Sequence, residues 1–256
     1  MLAWDQQQQL HLYERGGLCR VTRAAPATLA AACLADDGSA LAGVGTAGEV
    51  WLLDPAVNPH WEKKLPQGGQ AVACDSFGRF LAASDVGGNL LLFDRHGRLR
   101  AQTKMPRPLR RLAFIPERPN LVGAADFGLV ACFDARLECI WRDGLVANIG
   151  SLAVSGNGDT IALAGFSPGL YCYRLDGPPQ RWLPLATACC LAALRHDGKM
   201  ILMANQANDL QLVDLEQRVH GEYALPATAV AIALAPLGDF AAVALGDGTL
   251  LGLDLG

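Results

Sequence analysis

The stretch AVACDSFGRFLAASDVGGNLLLFDRHGRLRAQT, residues 71–103, reads as four short strands separated by three turns. AVACD (71–75) is a first strand, and a turn around Gly78 leads to RFLAAS (79–84). The loop DVGGN (85–89) leads to LLLFD (90–94), and RLRAQT (98–103) forms a more polar fourth strand. The same pattern recurs along the whole chain. Gly38, Gly78, Gly158, Gly198 and Gly238 fall on a forty-residue period, with Arg118 at the remaining position. Asp54, Asp94, Asp134, Asp214 and Asp254 keep the same period, each closing an apolar run: VWLLD, LLLFD, VACFD, LQLVD and LLGLD. A repeat of this length and content specifies a four-stranded blade that buries its faces against its neighbours. The fold class that follows is all-β, a β-propeller of forty-residue four-stranded blades.

Composition agrees. Of the 256 residues, 51% are hydrophobic and 18% charged, yet no window reaches the roughly 18 consecutive apolar residues of a membrane span. Sheets covered on both faces absorb such an excess, because their strands read as continuous apolar runs rather than clean alternation. In the first strand, the position occupied by Cys33, Ala73, Ala113, Ala153, Ala193 and Ala233 is always small. That suits sheets wedged together toward a crowded axis. A second glycine series, Gly48, Gly88, Gly128, Gly169 and Gly248, precedes the third strand and supplies its turn.

The chain ends set the blade count. MLAWDQQQQLHLYE (1–14) aligns without a gap on LAASDVGGNLLLFD (81–94), so the sequence opens in the middle of a unit. LLGLD (250–254) is a third strand with no fourth after it. The expected layout is one propeller domain over residues 1–256. It comprises a half blade at 1–29 and repeats at about 30–69, 70–109, 110–149, 150–189, 190–229 and 230–256. Seven blades with one incomplete are favoured. The runner-up is six, with 18–22 pairing beside 250–254.

The unit resembles a WD40-type repeat: turn glycine, apolar strand, a loop such as SDVGGN or LGDGT (245–249), then an apolar strand ending in aspartate. The signature residues differ. Pro26, Pro66, Pro106 and Pro226 stand where that family places a Gly-His pair, and Leu53, Phe93, Phe133, Val213 and Leu253 where it places Trp. The family's His–Asp network therefore has no counterpart. What the resemblance implies is a scaffold for protein–protein contacts made through loops, with no chemistry of its own.

Motifs that carry chemistry are sparse. Gly43-Val44-Gly45-Thr46-Ala47-Gly48 spells G-x-G-x-x-G, but a dinucleotide fingerprint needs a helix after it, and Glu49–Asp54 reads as a strand. The five histidines are dispersed, and no H-E-x-x-H or G-x-S-x-G accompanies them. Eight cysteines without finger-like spacing read as reduced core residues, with no metal and no cofactor expected. The amino terminus lacks a basic region and a cleavage site, so a cytoplasmic protein is expected. A net charge of −4 weighs against nucleic-acid binding.

Two features stand above this background. Between Asp94 and Glu117 there is no acid, yet Arg95, Arg98, Arg100, Lys104, Arg107, Arg110 and Arg111 supply seven of the 21 lysines and arginines. Arg107, Arg110 and Arg111 are expected on the upper face, where they suit an acidic or phosphorylated partner. The upper loops also gather Asp126, Phe127 and Phe166, two exposed aromatics and a carboxylate. These six residues form the expected partner-binding set of a non-enzymatic interaction scaffold, one part of a larger assembly or polypeptide. The competing reading is an enzyme or small-ligand binder that uses a central channel. For it the first strands offer only Asp75 and Arg195 as ionisable groups near their ends.

Overall fold

The computed structural model describes residues 1–116, 118–127, 129–144, 148–166, 169–185 and 187–255, and among them there is no helix. The strands form seven antiparallel sheets, each a meander in sequence order. Sheet 1 contains β1 (Leu2–Trp4), β2 (Gln9–Tyr13) and β3 (Cys19–Ala24). Sheet 2 contains β4 (Leu29–Leu34), β5 (Leu41–Gly45), β6 (Glu49–Leu53) and β7 (Pro59–Lys64). Sheet 3 contains β8 (Gly69–Cys74), β9 (Phe80–Asp85), β10 (Asn89–Asp94) and β11 (Leu99–Lys104). Sheet 4 contains β12 (Arg111–Phe114), β13 (Leu121–Ala125), β14 (Leu129–Phe133) and β15 (Cys139–Asp143). Sheet 5 contains β16 (Ile149–Val154), β17 (Thr160–Gly165), β18 (Leu170–Arg174) and β19 (Gly177–Leu183). Sheet 6 contains β20 (Cys189–Leu194), β21 (Met200–Asn205), β22 (Asp209–Asp214) and β23 (Val219–Ala224). Sheet 7 contains β24 (Ala229–Leu234), β25 (Phe240–Leu245) and β26 (Leu250–Asp254).

Seven blades are thus present, and the alternative pairing of 18–22 beside 250–254 does not occur: β3 and β26 belong to different sheets. Both terminal sheets are three-stranded, one lacking the first-position strand and the other the fourth. The chain divides into two compact units: Met1–Phe114 with Pro119–Ala125 and Val130–Ile140, and Ile115–Arg118 with Asp126–Leu129 and Trp141–Gly256.

Within the first unit, β5 is buried along its length, as is nearly all of β9 and β10. Ala42, Val44, Val50, Leu52, Leu81, Ala83, Leu91 and Phe93 interleave sheets 2 and 3 into one core. Leu10 of sheet 1 joins Leu29, Leu41, Trp51 and Leu53 of sheet 2. In the second unit, sheets 5 and 6 share Ala162, Leu170, Cys189 and Ile201, and sheets 6 and 7 share Leu202, Leu210, Ala241 and Val243. The small first-strand residues hold one register throughout, with Cys33 opposite Ala42, Ala73 opposite Ala82, Ala153 opposite Ala162 and Ala233 opposite Ala242.

Both periodic series have a structural cause. Gly38, Gly78, Gly158, Gly198 and Gly238 all adopt positive φ in the first hairpin turn, which glycine reaches without a Cβ penalty. The aspartates close the third hairpin. Asp94 Oδ1 accepts the amides of His96 and Arg98, Asp54 Oδ1 those of Ala56 and Asn58, Asp134 Oδ1 those of Arg136 and Glu138, and Asp214 Oδ1 those of Glu216 and Arg218. Each is an Asx turn that uses Oδ1 on its own loop, and Asp214 in addition pairs its Oδ2 with His220 Nε2 at 3.0 Å. In the second glycine series, Gly48, Gly88, Gly169 and Gly248 have positive φ, and Asn208 serves in the sixth sheet. Gly128 lies outside the described residues.

Candidate functional site

The loop joining second to third strand is tied down in the same way sheet after sheet. Thr46 N donates to Thr28 O, Val86 N to Gly68 O, Phe166 N to Asn148 O, Gln206 N to Ala188 O and Gly246 N to Thr228 O. The backbone is fixed while the side chain at this position varies freely. In the second unit that side chain is Phe166, 51% exposed. Phe127, one position further along its own loop, is 59% exposed and sits at φ 51°. A bulky residue in the left-handed region costs about 1–2 kcal/mol, and such strain concentrates at functional positions. Asp126 acts locally, its Oδ1 accepting the Ile149 amide at 3.0 Å and so anchoring the start of β16.

Arg107, Arg110 and Arg111 lie in the first unit, around the start of β12. Arg107 and Arg110 are exposed. Arg110 donates its amide to Ala124 O at 2.8 Å, which aligns β12 on β13, and Arg111 turns one guanidinium nitrogen back onto the Arg110 carbonyl at 3.1 Å. The predicted set therefore falls into two groups, the arginines in one unit and Asp126, Phe127 and Phe166 in the other.

The two ionisable groups considered for channel chemistry are occupied locally. Asp75 is 6% exposed, with Oδ1 accepting the Phe80 amide at 2.8 Å and Oδ2 the Arg79 Nε at 2.9 Å. Arg195 is held in a two-bond pair by Asp197, Nε to Oδ1 at 2.9 Å and Nη2 to Oδ2 at 2.6 Å. That pair lowers the Asp197 carboxyl to about 2. Among the described residues no three His, Cys, Asp or Glu side chains are grouped to hold a metal ion. The G-x-G-x-x-G stretch runs from the end of β5 through the hairpin loop that leads to β6.

The cysteines carry free thiols. Burial pushes Cys132 up to about 11 and Cys189 up to about 12, and the neighbouring Cys33 thiol raises Cys74. Trp61 and Trp141 tie neighbouring sheets together. Trp61 Nε1 donates to Arg95 O at 3.0 Å and Trp141 Nε1 to Leu175 O at 2.8 Å, each bonding the next sheet's third turn.

The structure also places together residues that sequence reading kept apart. A cavity of about 250 Å³ opens in the first unit between sheets 2 and 3, lined among others by Ser39, Leu52, His60, Phe77, Arg95 and His96. Its members come from four different hairpins, so only the stacking of two sheets reveals it.

The comparisons fit this architecture. No family pattern and no curated protein sequence matches the chain. Solved structures do. The Kuenenia stuttgartiensis hydrazine synthase superposes with a TM-score of 0.82 at 12% identity, covering 96% of this chain and 89% of the other. The fold is that of a β-propeller. The crystal structure of BBS1N in complex with ARL6DN, soaked with lead, gives a TM-score of 0.80 at 13% identity, covering 100% and 86%. At these identities the likeness concerns the fold alone.

Proposed function

We propose that this chain is a non-enzymatic, cytoplasmic, WD40-like interaction scaffold that binds a protein partner, acidic or phosphorylated where it meets the arginines, within a larger assembly. The observation that carries the reading is Phe127, an aromatic side chain held exposed at a loop tip in a backbone conformation that disfavours it. An aromatic anchor at an interface regains such a cost on burial. Phe166 supplies a second exposed ring on a bonded loop in the same unit. Arg107, Arg110 and Arg111 provide a separate basic set that acts on encounter rate and weakens with salt. Free thiols fit a reducing compartment. That BBS1N is solved with a protein partner adds support by analogy.

The test is capture of partners from the native source with three proteins: wild type, the triple variant R107E/R110E/R111E and the double variant F127A/F166A. The arginine variant is expected to slow association, and the phenylalanine variant to speed dissociation. Full retention of every partner by both variants would overturn the reading. Turnover of a small molecule that depends on Asp75 or Arg195 would replace it with catalysis.

A further inference from the structure

We propose that the cavity between sheets 2 and 3 is a binding site for a phosphate monoester, with the phosphate held by Arg95, His60 and His96 and its apolar substituent against Phe77. The inference stands apart from the interaction surface above and uses none of its residues.

Three elements build the site. His60 projects from β7, Arg95 and His96 lie in the turn between β10 and β11, and Phe77 lies in the turn between β8 and β9. One tryptophan fixes them relative to one another. Trp61, beside His60, packs its ring 5.6 Å from Phe93 and donates its indole N–H to the Arg95 carbonyl at 3.0 Å. The backbone that carries Arg95 is thereby clamped to the strand that carries His60. Gly97 lies under the indole, where a Cβ would come within 2.9 Å of the ring.

The fold repeats this clamp once more, which supplies an internal comparison. Trp141 donates to Leu175 O and lies over Gly177 in the same geometry, and a Cβ on Gly177 would meet its ring at 2.9 Å. By that equivalence Arg95 corresponds to Leu175, His96 to Asp176 and His60 to Ile140. The clamp is common to both places, and the basic side chains are not. Three basic side chains at these positions are therefore not a requirement of the clamp.

The basic groups are available for a ligand. Among the described residues, no carboxylate forms a hydrogen bond or ion pair with the side chains of Arg95, His60 or His96. The nearby acids accept amides in their own turns, Asp54 those of Ala56 and Asn58 and Asp94 those of His96 and Arg98, with Arg100 3.8 Å from Asp94; Asp54 also feels the charge of His60, and Asp94 that of His96, without a hydrogen bond to either ring. Asp37 accepts the Ser39 amide at 2.9 Å. Arg79, whose guanidinium carbon lies 4.9 Å from the Phe77 ring centre, adds positive charge at the rim while bonded to Asp75.

The donor set selects the ligand. A carboxylate is satisfied by one guanidinium, whereas a phosphate dianion has three oxygens that take up a guanidinium and two imidazole N–H donors together. Phe77 is 52% exposed, and its ring offers an apolar surface for whatever carries the phosphate. A cavity of about 250 Å³ falls below the roughly 300–1,000 Å³ of sites for drug-sized ligands. It therefore suits a single phosphorylated side chain or a small phosphate ester, not a dinucleotide.

Titration of the full chain with phenyl phosphate, inorganic phosphate and benzoate, read by calorimetry and by the ring-proton signals of His60 and His96, tests the assignment. Phenyl phosphate is expected to bind at least tenfold tighter than either of the others, to move both histidine signals, and to lose at least tenfold in affinity in R95Q and in H60Q/H96Q. R98Q, changed in the same turn outside the cavity, is expected to stay within twofold of wild type. All these residues are exposed, so an unchanged circular dichroism spectrum accompanies the loss. Absence of phenyl phosphate binding, or wild-type binding by R95Q, would overturn the site. Inorganic phosphate binding as tightly as phenyl phosphate would remove Phe77 from it, and tighter benzoate binding would overturn the choice of phosphate.

Discussion

Gly38 and Gly78 occupy the same place in successive repeats and nearly the same backbone conformation, with φ of 71° and 61°. Their surroundings differ. A Cβ built on Gly38 meets nothing within 4 Å, whereas on Gly78 it would come within 2.7 Å of the Ala40 Cβ across the gap between sheets 2 and 3. Alanine at either position incurs the left-handed cost of about 1–2 kcal/mol. At Gly78 it also forces apart two packed sheets, for which overpacking data suggest a further ~1–3 kcal/mol. Alanine's effect on the entropy of the unfolded chain is common to both and cancels in the difference. G78A is therefore expected to be less stable than G38A by about 1–3 kcal/mol. Urea unfolding followed by tryptophan fluorescence measures this, provided that midpoints shift at unchanged slope. Equal destabilisation would refute the sheet-contact argument. A Gly38 variant as stable as wild type, paired with a costly Gly78 one, would refute the backbone half.

Other outcomes follow from the same geometry. Native-state alkylation should label the exposed Cys19 and Cys139 first, with Cys132, Cys172 and Cys189 reacting only on unfolding; mass spectrometry over time reads the order, and early labelling of Cys189 contradicts its burial. Replacing Trp61 or Trp141 with Phe keeps an aromatic ring but removes one inter-sheet hydrogen bond, worth about 0.5–1.5 kcal/mol, together with part of the indole packing, so each should cost at least that much in urea unfolding. For Asp197 the folded carboxyl lies at about 2, below the reference 3.8, so its contribution is complete above the higher value and lost as pH falls toward the lower. The stability gap between wild type and D197N should therefore be constant near neutrality and close on acidification through that window. A gap that persists at the acid end refutes the pairing with Arg195.

Much of the fold was legible because its signals are local and periodic. Gly78 had to turn the chain and Asp94 had to end a strand, and each constraint is satisfied within a few residues of itself. The role of the aspartates was read less fully: the position was evident from LLLFD, but the amides it captures, on His96 and Arg98, become apparent only when the turn is drawn. The role of Trp61 and Trp141 was not legible, because their hydrogen bonds reach 34 residues ahead into another sheet. The same distance hid His60, Arg95 and His96. Arg95 stood in the sequence as part of a basic run, and His60 and His96 as dispersed imidazoles, until the stacking of sheets 2 and 3 brought them around one cavity.

The repeated bond from the second loop back to the start of the first strand, seen at Thr46, Val86, Phe166, Gln206 and Gly246, separates what the chain must keep from what it can change. Only an amide hydrogen is demanded there, and every residue except proline supplies one. Such a position behaves as a socket: Thr, Val, Phe, Gln and Gly already fill it without altering the strands on either side. Randomising these five sites together would vary what the molecule displays while leaving its folding instructions intact, which makes this register a natural starting library for new binders.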